Sequence, residues 1–321
     1  MRRRFDVLVV GELNVDLILD GMGALPEVGK EILARSMTLT LGSSSAIFAS
    51  NLRCLGPEVA FLGKVGDDLF GSFVVDRLRA RGVDTSRILT VPGLSTGATV
   101  ALNHGEDRAM ITAMGAMEHL AVEDVTPDHL ASARHLHLSS VFLQPLLLPH
   151  VATLFRRAKE AGMTTSLNPQ WDPAEAWDLD LPAILPSVDL FLPNEAEILH
   201  LTRMPDVSSA LYVLRPFART VVVKQGSRGA TAQAGSRVIA KPAFFNPCVV
   251  DAIGAGDSFD AGFVARFLEG DTLEGCLLSG NLMGAVSTTA AGGTGAFTDL
   301  AGVMAIARER FHHVRRAPLP A

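Results

Sequence analysis

Charge is scarce in this sequence. Asp, Glu, Lys and Arg make up 19% of its 321 residues, where a soluble domain commonly carries about a quarter. Few charges leave more of the chain free to enter a core, and 48% of it is hydrophobic. The charge that is present does not lean basic: 28 Lys and Arg stand against 34 Asp and Glu, a formal net charge of −6. That excludes the broad basic face with which a general nucleic-acid binder neutralises phosphates. Three cysteines, Cys54, Cys248 and Cys276, are too few and too scattered for a disulfide framework or a zinc site. They fit a reducing compartment, so a cytoplasmic location is expected. No uninterrupted apolar run reaches the roughly 18 residues of a membrane span, and no membrane partner is expected. Arg2-Arg3-Arg4 leads into a short apolar strand rather than the apolar stretch of a secretory leader. A Gly-x4-Gly-Lys-Ser/Thr phosphate loop is missing as well. The length allows two domains, or one large α/β domain with an insertion.

What the sequence does hold is a succession of short apolar runs. Val7-Leu8-Val9-Val10-Gly11 is one, closed by glycine; others lie at Val59–Leu62, Leu136–Leu138, Thr164–Leu167, Val188–Leu192 and Val221–Val223. Such runs suit strands covered on both faces, as in a parallel sheet. Helical stretches separate them. Residues 68–81 end in Arg79-Ala80-Arg81 before Gly82, and residues 149–161 end in Lys159-Glu160-Ala161 before Gly162. Each places cations in the last turn and a glycine at the stop. The alternation points to βαβ units and a doubly wound sheet. Two segments break the rhythm. Met37, Leu39 and Leu41 alternate with Thr38 and Thr40, and Ala98, Val100 and Leu102 alternate with small or polar residues. Period-2 patterns mark strands with one covered face. His104-Gly105-Glu106-Asp107 then reads as a turn and Arg108–Ala113 as a returning strand. These pieces read as a small β-lid, with ordinary edge strands as the alternative. The expected organisation is one domain over residues 1–321, its discontinuous lid drawn from about 12–41 and 97–114.

The stretch richest in chemistry is Asp251-Ala252-Ile253-Gly254-Ala255-Gly256-Asp257-Ser258-Phe259. Phe259, Phe263 and Phe267 recur every fourth residue behind it, a buried helical stripe. Gly254-Ala255-Gly256 therefore sits where a loop enters a helix, and small residues there let a ligand approach the backbone. Unpaired amides and the positive end of the helix dipole make an anion site. Asp257, in the first turn, could accept a proton from a hydroxyl as that oxygen attacks phosphorus. Taken alone, the same residues would more simply read as a capped helix start.

The stretch resembles the signature Asp-Thr-x-Gly-Ala-Gly-Asp of the ribokinase-like (PfkB) carbohydrate kinases, with Ala252 where that family usually has threonine. The resemblance implies a three-layer α/β sandwich with a mostly parallel central sheet and a β-lid. It implies that Asp257 is the catalytic base and that the amides of Gly254, Ala255 and Gly256 stabilise the transferring phosphoryl group. Further segments match in order. Asn14 and Asp16 correspond to a sugar-binding Asn-x-Asp, and the carboxylate and amide suit vicinal hydroxyls. Gly42-Ser43-Ser44-Ser45-Ala46-Ile47 is similar to the family's glycine-rich entry into a helix, with Ser43 and Ile47 in place of a glycine and an asparagine. Gly42, Ser43 and Ser44 are thereby candidate substrate contacts. Val65-Gly66-Asp67-Asp68-Leu69-Phe70-Gly71 matches a structural segment, and Asp67 is expected to cap the helix that follows. Asn194 and Glu197 imply a magnesium site that works through water near ATP, a metal that takes few direct protein ligands. Lys224, Gly226 and Gly229 resemble the nucleotide loop, and Asn281 the region flanking adenine. Asp251 and the Ile253 carbonyl correspond to a monovalent-cation site, possible potassium, although the usual arginine near Ala290 is absent.

Outside these motifs, His135 and His137 share one strand face, a metal pair without an evident third ligand. Ser139-Ser140 and Asn168-Pro169-Gln170-Trp171 each follow a strand, where ligands of doubly wound sheets sit, and Asn168 is a candidate substrate contact. His312-His313 and Arg315-Arg316 read as a solvated tail. The expected function is ATP- and Mg2+-dependent phosphorylation of a hydroxymethyl group on a small sugar. A nucleoside kinase of the same fold and a non-catalytic sugar-binding regulator are the alternatives. Exposed lid strands would allow a homodimer.

Overall fold

In a computed structural model, residues 3–104 and 107–313 are described. The first half of the chain runs β1 (Phe5–Val10), β2 (Asn14–Asp20), β3 (Ser36–Leu41), α1 (Ser44–Cys54), β4 (Val59–Gly66), α2 (Leu69–Ala80), β5 (Asp84–Val91), β6 (Gly97–His104), β7 (Asp107–Ala113), α3 (Pro127–Ala131), β8 (Ala133–Ser139) and α4 (Val151–Glu160). The second half runs β9 (Thr164–Asn168), α5 (Leu181–Ile184), β10 (Leu190–Phe191), α6 (Glu195–Thr202), α7 (Val207–Leu214), β11 (Thr220–Lys224), β12 (Ala230–Ala234), β13 (Arg237–Lys241), α8 (Ala255–Leu268), α9 (Leu273–Ser287) and α10 (Leu300–Phe311).

The apolar runs become the centre of a nine-stranded sheet ordered β13-β12-β11-β10-β9-β8-β1-β4-β5. Its strands run parallel except for β12, which is antiparallel to both β11 and β13. Helices cover both faces, which is why those strands read as continuous apolar runs rather than alternating ones. One core packs α3, α4, α5, α6 and α7 against one face. The other packs α1, α2 and α8 against the opposite face, and α9 joins it through Cys276 and Leu277. Phe48, Phe155, Phe191 and Phe263 are among the largest fully buried side chains, each such burial stabilising by about 1.5–3 kcal/mol.

The two alternating segments form a second, four-stranded sheet ordered β3-β2-β6-β7. Its register aligns Thr40, Asp16, Thr99 and Thr112, one polar residue from each strand, in a single row. The opposite face carries Val15, Leu17, Leu19, Leu39 and Val100, which is the period-2 pattern made physical. Of the expected turn at 104–107, residues 105 and 106 lie outside the described residues.

Some local expectations are corrected. Asp68, not Asp67, caps α2: its carboxylate accepts the Gly71 amide at 2.7 Å and the Thr96 amide at 2.7 Å, while Asp67 is exposed. Tertiary pairing with Thr96 picks between two adjacent aspartates that sequence pattern alone leaves equivalent. The run Val188–Leu192 shrinks to the strand Leu190–Phe191, because Val188 closes a 3-10 turn.

Candidate active site

Five strands of the large sheet, β1, β8, β9, β10 and β11, deliver polar side chains at or just beyond their carboxyl ends, the edge where doubly wound sheets bind ligands. These are Glu12, Ser139 and Ser140, Asn168 and Gln170, Asn194, and Lys224. The heads of α1 and α8 meet them there.

The head of α8 is shaped by Gly254, whose φ of 69° lies in the left-handed region. A Cβ there would stand 2.7 Å from Gly293 Cα and 3.0 Å from Ile47 Cγ2. Ile47, the departure from the family's asparagine, therefore packs against the α8 head instead of reaching for a ligand. Asn51 locks the junction, donating to Ser258 Oγ and to the Gly293 carbonyl, both at 2.9 Å. First-turn amides of a helix have no intrahelical acceptor, although the Ala255 amide already makes a long 3.3 Å turn bond to Ala252.

Asp257 lies in that first turn and is 7% exposed. Its Oδ1 accepts from Ser44 Oγ, at the head of α1, and from Gln170 Nε2 at 2.8 Å. Burial pushes its carboxyl above the usual range, while Ser44, Lys224 and Gln170 pull it back. One turn further, fully buried Asp260 accepts from Lys224 Nζ at 2.9 and 3.2 Å and from Asn168 Nδ2 at 2.6 Å. Burial pushes Asp260 up to about 7 against the pull of Lys224. Asn168 thus stands one layer behind Asp257, and Gln170, held at φ 62°, is the residue of that loop that touches Asp257. Trp171 sets its ring edge-on to those of Trp177 and His200.

Asn194 and Glu197 form a reciprocal capping box at the start of α6: the Glu197 amide reaches Asn194 Oδ1 at 2.8 Å and the Asn194 amide reaches Glu197 Oε2 at 2.9 Å. The capped-helix and magnesium readings thus share the same residues. Asn194 bridges to Lys224 on the neighbouring strand, and Asp257 and Lys224 both act on the buried Glu197 carboxyl, which burial raises. A hydrated divalent cation carried in on phosphate oxygens would meet Asn194 and Glu197 through its waters rather than by direct ligation.

On the other side, Asn14 Nδ2 donates to Asp16 Oδ1 at 3.0 Å and to Thr99 Oγ1 at 3.1 Å, joining the polar row of the small sheet. A Cβ on Gly42 would fall 2.3 Å from Asp16 Oδ1 and 2.5 Å from Asn14 Nδ2, so glycine is what lets that pair keep its place. Ser43, at φ 69°, caps α1 through the Ala46 amide and donates to the Glu12 carbonyl and carboxylate. Glu12 is 1% exposed and also receives Ser45 through its amide and hydroxyl, and the Ser140 hydroxyl at 3.0 Å. No cation is among these partners, and burial pushes Glu12 up to about 7. Glu12, Gln170 and Asp260 went unread in the sequence. The available signal for Glu12 was a lone carboxylate in an apolar stretch at a strand end.

The nucleotide-loop candidates follow β11. Gly226 and Gly229 both have positive φ, and a Cβ on Gly229 would meet the Lys241 carbonyl at 2.1 Å. Asn281 donates to the carbonyls of Lys241 and Pro242 at 3.0 and 3.1 Å, fixing the segment that Gly229 packs against. Asp251 accepts the Ile253 and Gly292 amides, both at 2.9 Å, closing the loops before α8 and after α9. His135 and His137 share Ser166 Oγ at 2.7 Å, and His137 stacks on Phe48. They belong to the core, and among the described residues no group of three or more His, Cys, Asp and Glu side chains could hold a metal. His313 packs edge-on to Phe244, while Arg315 and Arg316 lie outside the described residues.

Comparison with known proteins agrees with this architecture. The chain is 31% identical over 307 residues to an ATP-dependent ribose-1-phosphate kinase of Halopiger xanaduensis, covering 95% of this chain and 99% of that one. Among solved structures, adenosine kinase from Sinorhizobium meliloti superposes with a TM-score of 0.82 at 23% identity, over 95% of this chain and 99% of that one. Arabidopsis thaliana ribokinase complexed with ribose and ATP superposes with a TM-score of 0.81 at 24% identity, over 94% and 98%. The pfkB family carbohydrate kinase model matches residues 4–299. A match across nearly the whole chain settles the family: the chain belongs to the pfkB carbohydrate kinases and is a phosphotransferase of that class.

Proposed function

We propose that this enzyme transfers the γ-phosphoryl group of ATP to a hydroxymethyl group of a small carbohydrate, with Asp257 as general base. The observation that carries this reading is Asp257 itself: a buried carboxylate in the first turn of α8, beside Lys224 and the Gly254–Gly256 turn. Asp257 takes the hydroxyl proton as the oxygen attacks phosphorus. The amides of the Gly254–Gly256 turn meet the charge that develops on the phosphoryl oxygens. Lys224, aimed by Asp260, adds a positive charge on the nucleotide side. Magnesium, held through water by Asn194 and Glu197, would neutralise phosphate charge.

Asn14, Asp16 and the Gly42–Ser44 turn are the proposed sugar contacts, and Gly226, Gly229 and Asn281 shape the nucleotide seat. Asp251 and the Ile253 carbonyl, at the loop that Asp251 closes, are the proposed seat of a monovalent cation such as potassium. The four-stranded sheet is proposed as a lid on a single domain, closing over the sugar to exclude water. Its half-exposed outer face, with Met37 at 67% and Ile111 at 66%, is the proposed contact of a homodimer. Light scattering that finds only monomer at micromolar concentration would remove the dimer.

The test is ADP release against a panel of pentoses, hexoses, sugar phosphates, keto-deoxy acids and nucleosides. Turnover confined to nucleosides would replace the sugar reading. Thermal stabilisation by a sugar with no ADP release from any member would replace the enzyme by a binding protein.

A further inference from the structure

Between Gly42 and Asn51 every residue is buried except Ser44. Ser44 is the first residue of α1, and its hydroxyl makes the contact with Asp257 that an acceptor hydroxyl must make. Its side chain is also a hydroxymethyl group, the functional group that the proposed reaction phosphorylates. We propose that Ser44 is an internal phosphoryl acceptor: with ATP present and sugar absent, the enzyme phosphorylates its own Ser44. This rests on Asp257 being the base.

The hydrogen bonds around Ser44 fix its chemistry. Gln170 Nε2 lies 2.5 Å from Ser44 Oγ and 2.8 Å from Asp257 Oδ1. An amide N–H donates, so Ser44 Oγ accepts from Gln170, and its own proton lies on the bond to Asp257. One Oγ lone pair is taken by Gln170 and one is left for attack. The phosphoryl group would arrive at the junction of α1 and α8, which Gly254, Ile47 and Asn51 hold together. The step balances: Ser44 Oγ forms a bond to the γ-phosphorus, the bond from that phosphorus to the β,γ-bridging oxygen breaks, ADP leaves, and the proton passes to Asp257. The product phosphate sits on the first turn of α1, a position that favours negative charge. It fills the seat of the sugar hydroxyl, so the modified enzyme is locked against turnover. A bound sugar protects Ser44 by taking its place on Asp257.

The experiment incubates the full chain with ATP and Mg2+ without sugar, reads intact mass over time, and maps the modified peptide. ADP release on the substrate panel is followed in parallel. Expected is the gain of one phosphoryl group at Ser44, at a rate about a hundredfold or more below sugar transfer, since the serine cannot adjust its angle as a free substrate can. Ser44→Ala and Asp257→Asn should each lose the gain, and the best sugar of the panel should suppress it. Phosphate elsewhere, or none, in an enzyme that turns over a sugar overturns the self-phosphorylation and leaves the kinase reading intact. Phosphate at Ser44 with no active sugar supports it and removes only the panel's substrate class. An enzyme that does neither overturns both.

Discussion

Glu12→Gln isolates the carboxylate at the root of α1. Glu12 is buried, its partners are the hydroxyls of Ser43, Ser45 and Ser140 and the Ser45 amide, and burial raises it from 4.5 to about 7. A carboxyl whose folded value exceeds its unfolded value binds its proton more tightly when folded. Its contribution is therefore fully present below the unfolded value and is lost as pH rises through the folded one. At 1.36 kcal/mol per unit, the interval from 4.5 to about 7 amounts to about 3 kcal/mol of stability lost between acid and neutral pH. Glutamine keeps the shape, cannot ionise, and faces hydroxyls that can turn from donor to acceptor. Thermal melts of both proteins at pH 5, 6, 7 and 8 give the answer as a difference, which cancels the other carboxyls. The variant should gain several degrees on the wild type across that range. Parallel curves would refute the argument that an uncompensated buried charge sits at Glu12.

Two further substitutions probe the other ends of the site. Lys224→Met leaves Asp260 buried without its cation and should lower stability by about 3–5 kcal/mol, with weaker ATP binding. Adding Asp260→Asn should recover much of that loss in urea unfolding, and a double variant no more stable than the single would contradict the pairing. Gly42→Ala places a methyl group 2.3 Å from Asp16 Oδ1. It should raise KM for the sugar about tenfold or more with KM for ATP unchanged, and an equal change in both would detach Asp16 from the sugar.

How much of this was legible in the sequence depended on distance along the chain. Short-range signals held: the apolar runs became strands of a sheet covered on both faces, and the threonine-interleaved segments became the small sheet. The glycine turn before Asp257 opened a helix as its spacing implied. Signals that required a partner far along the chain were lost. Asp68 is chosen over Asp67 by Thr96. Asp260 reads as one more helix residue until Lys224 and Asn168 close on it from two different strands. Ile47 and Ser43 looked like departures from a family pattern. In the fold, Ile47 fills the space above Gly254, and Ser43 gains Glu12 in return for a sparsely populated backbone conformation that costs about 1–3 kcal/mol. Compensation of that kind is a property of packing and leaves no local mark.

The central claim is that Asp257 is the base. Steady-state ADP release by Asp257→Asn, on the best substrate of the panel, tests it most directly, with affinity for a non-hydrolysable ATP analogue measured alongside. Expected is a kcat lower by roughly two to four decades with the analogue bound as by the wild type. Near-normal turnover in that variant would contradict it.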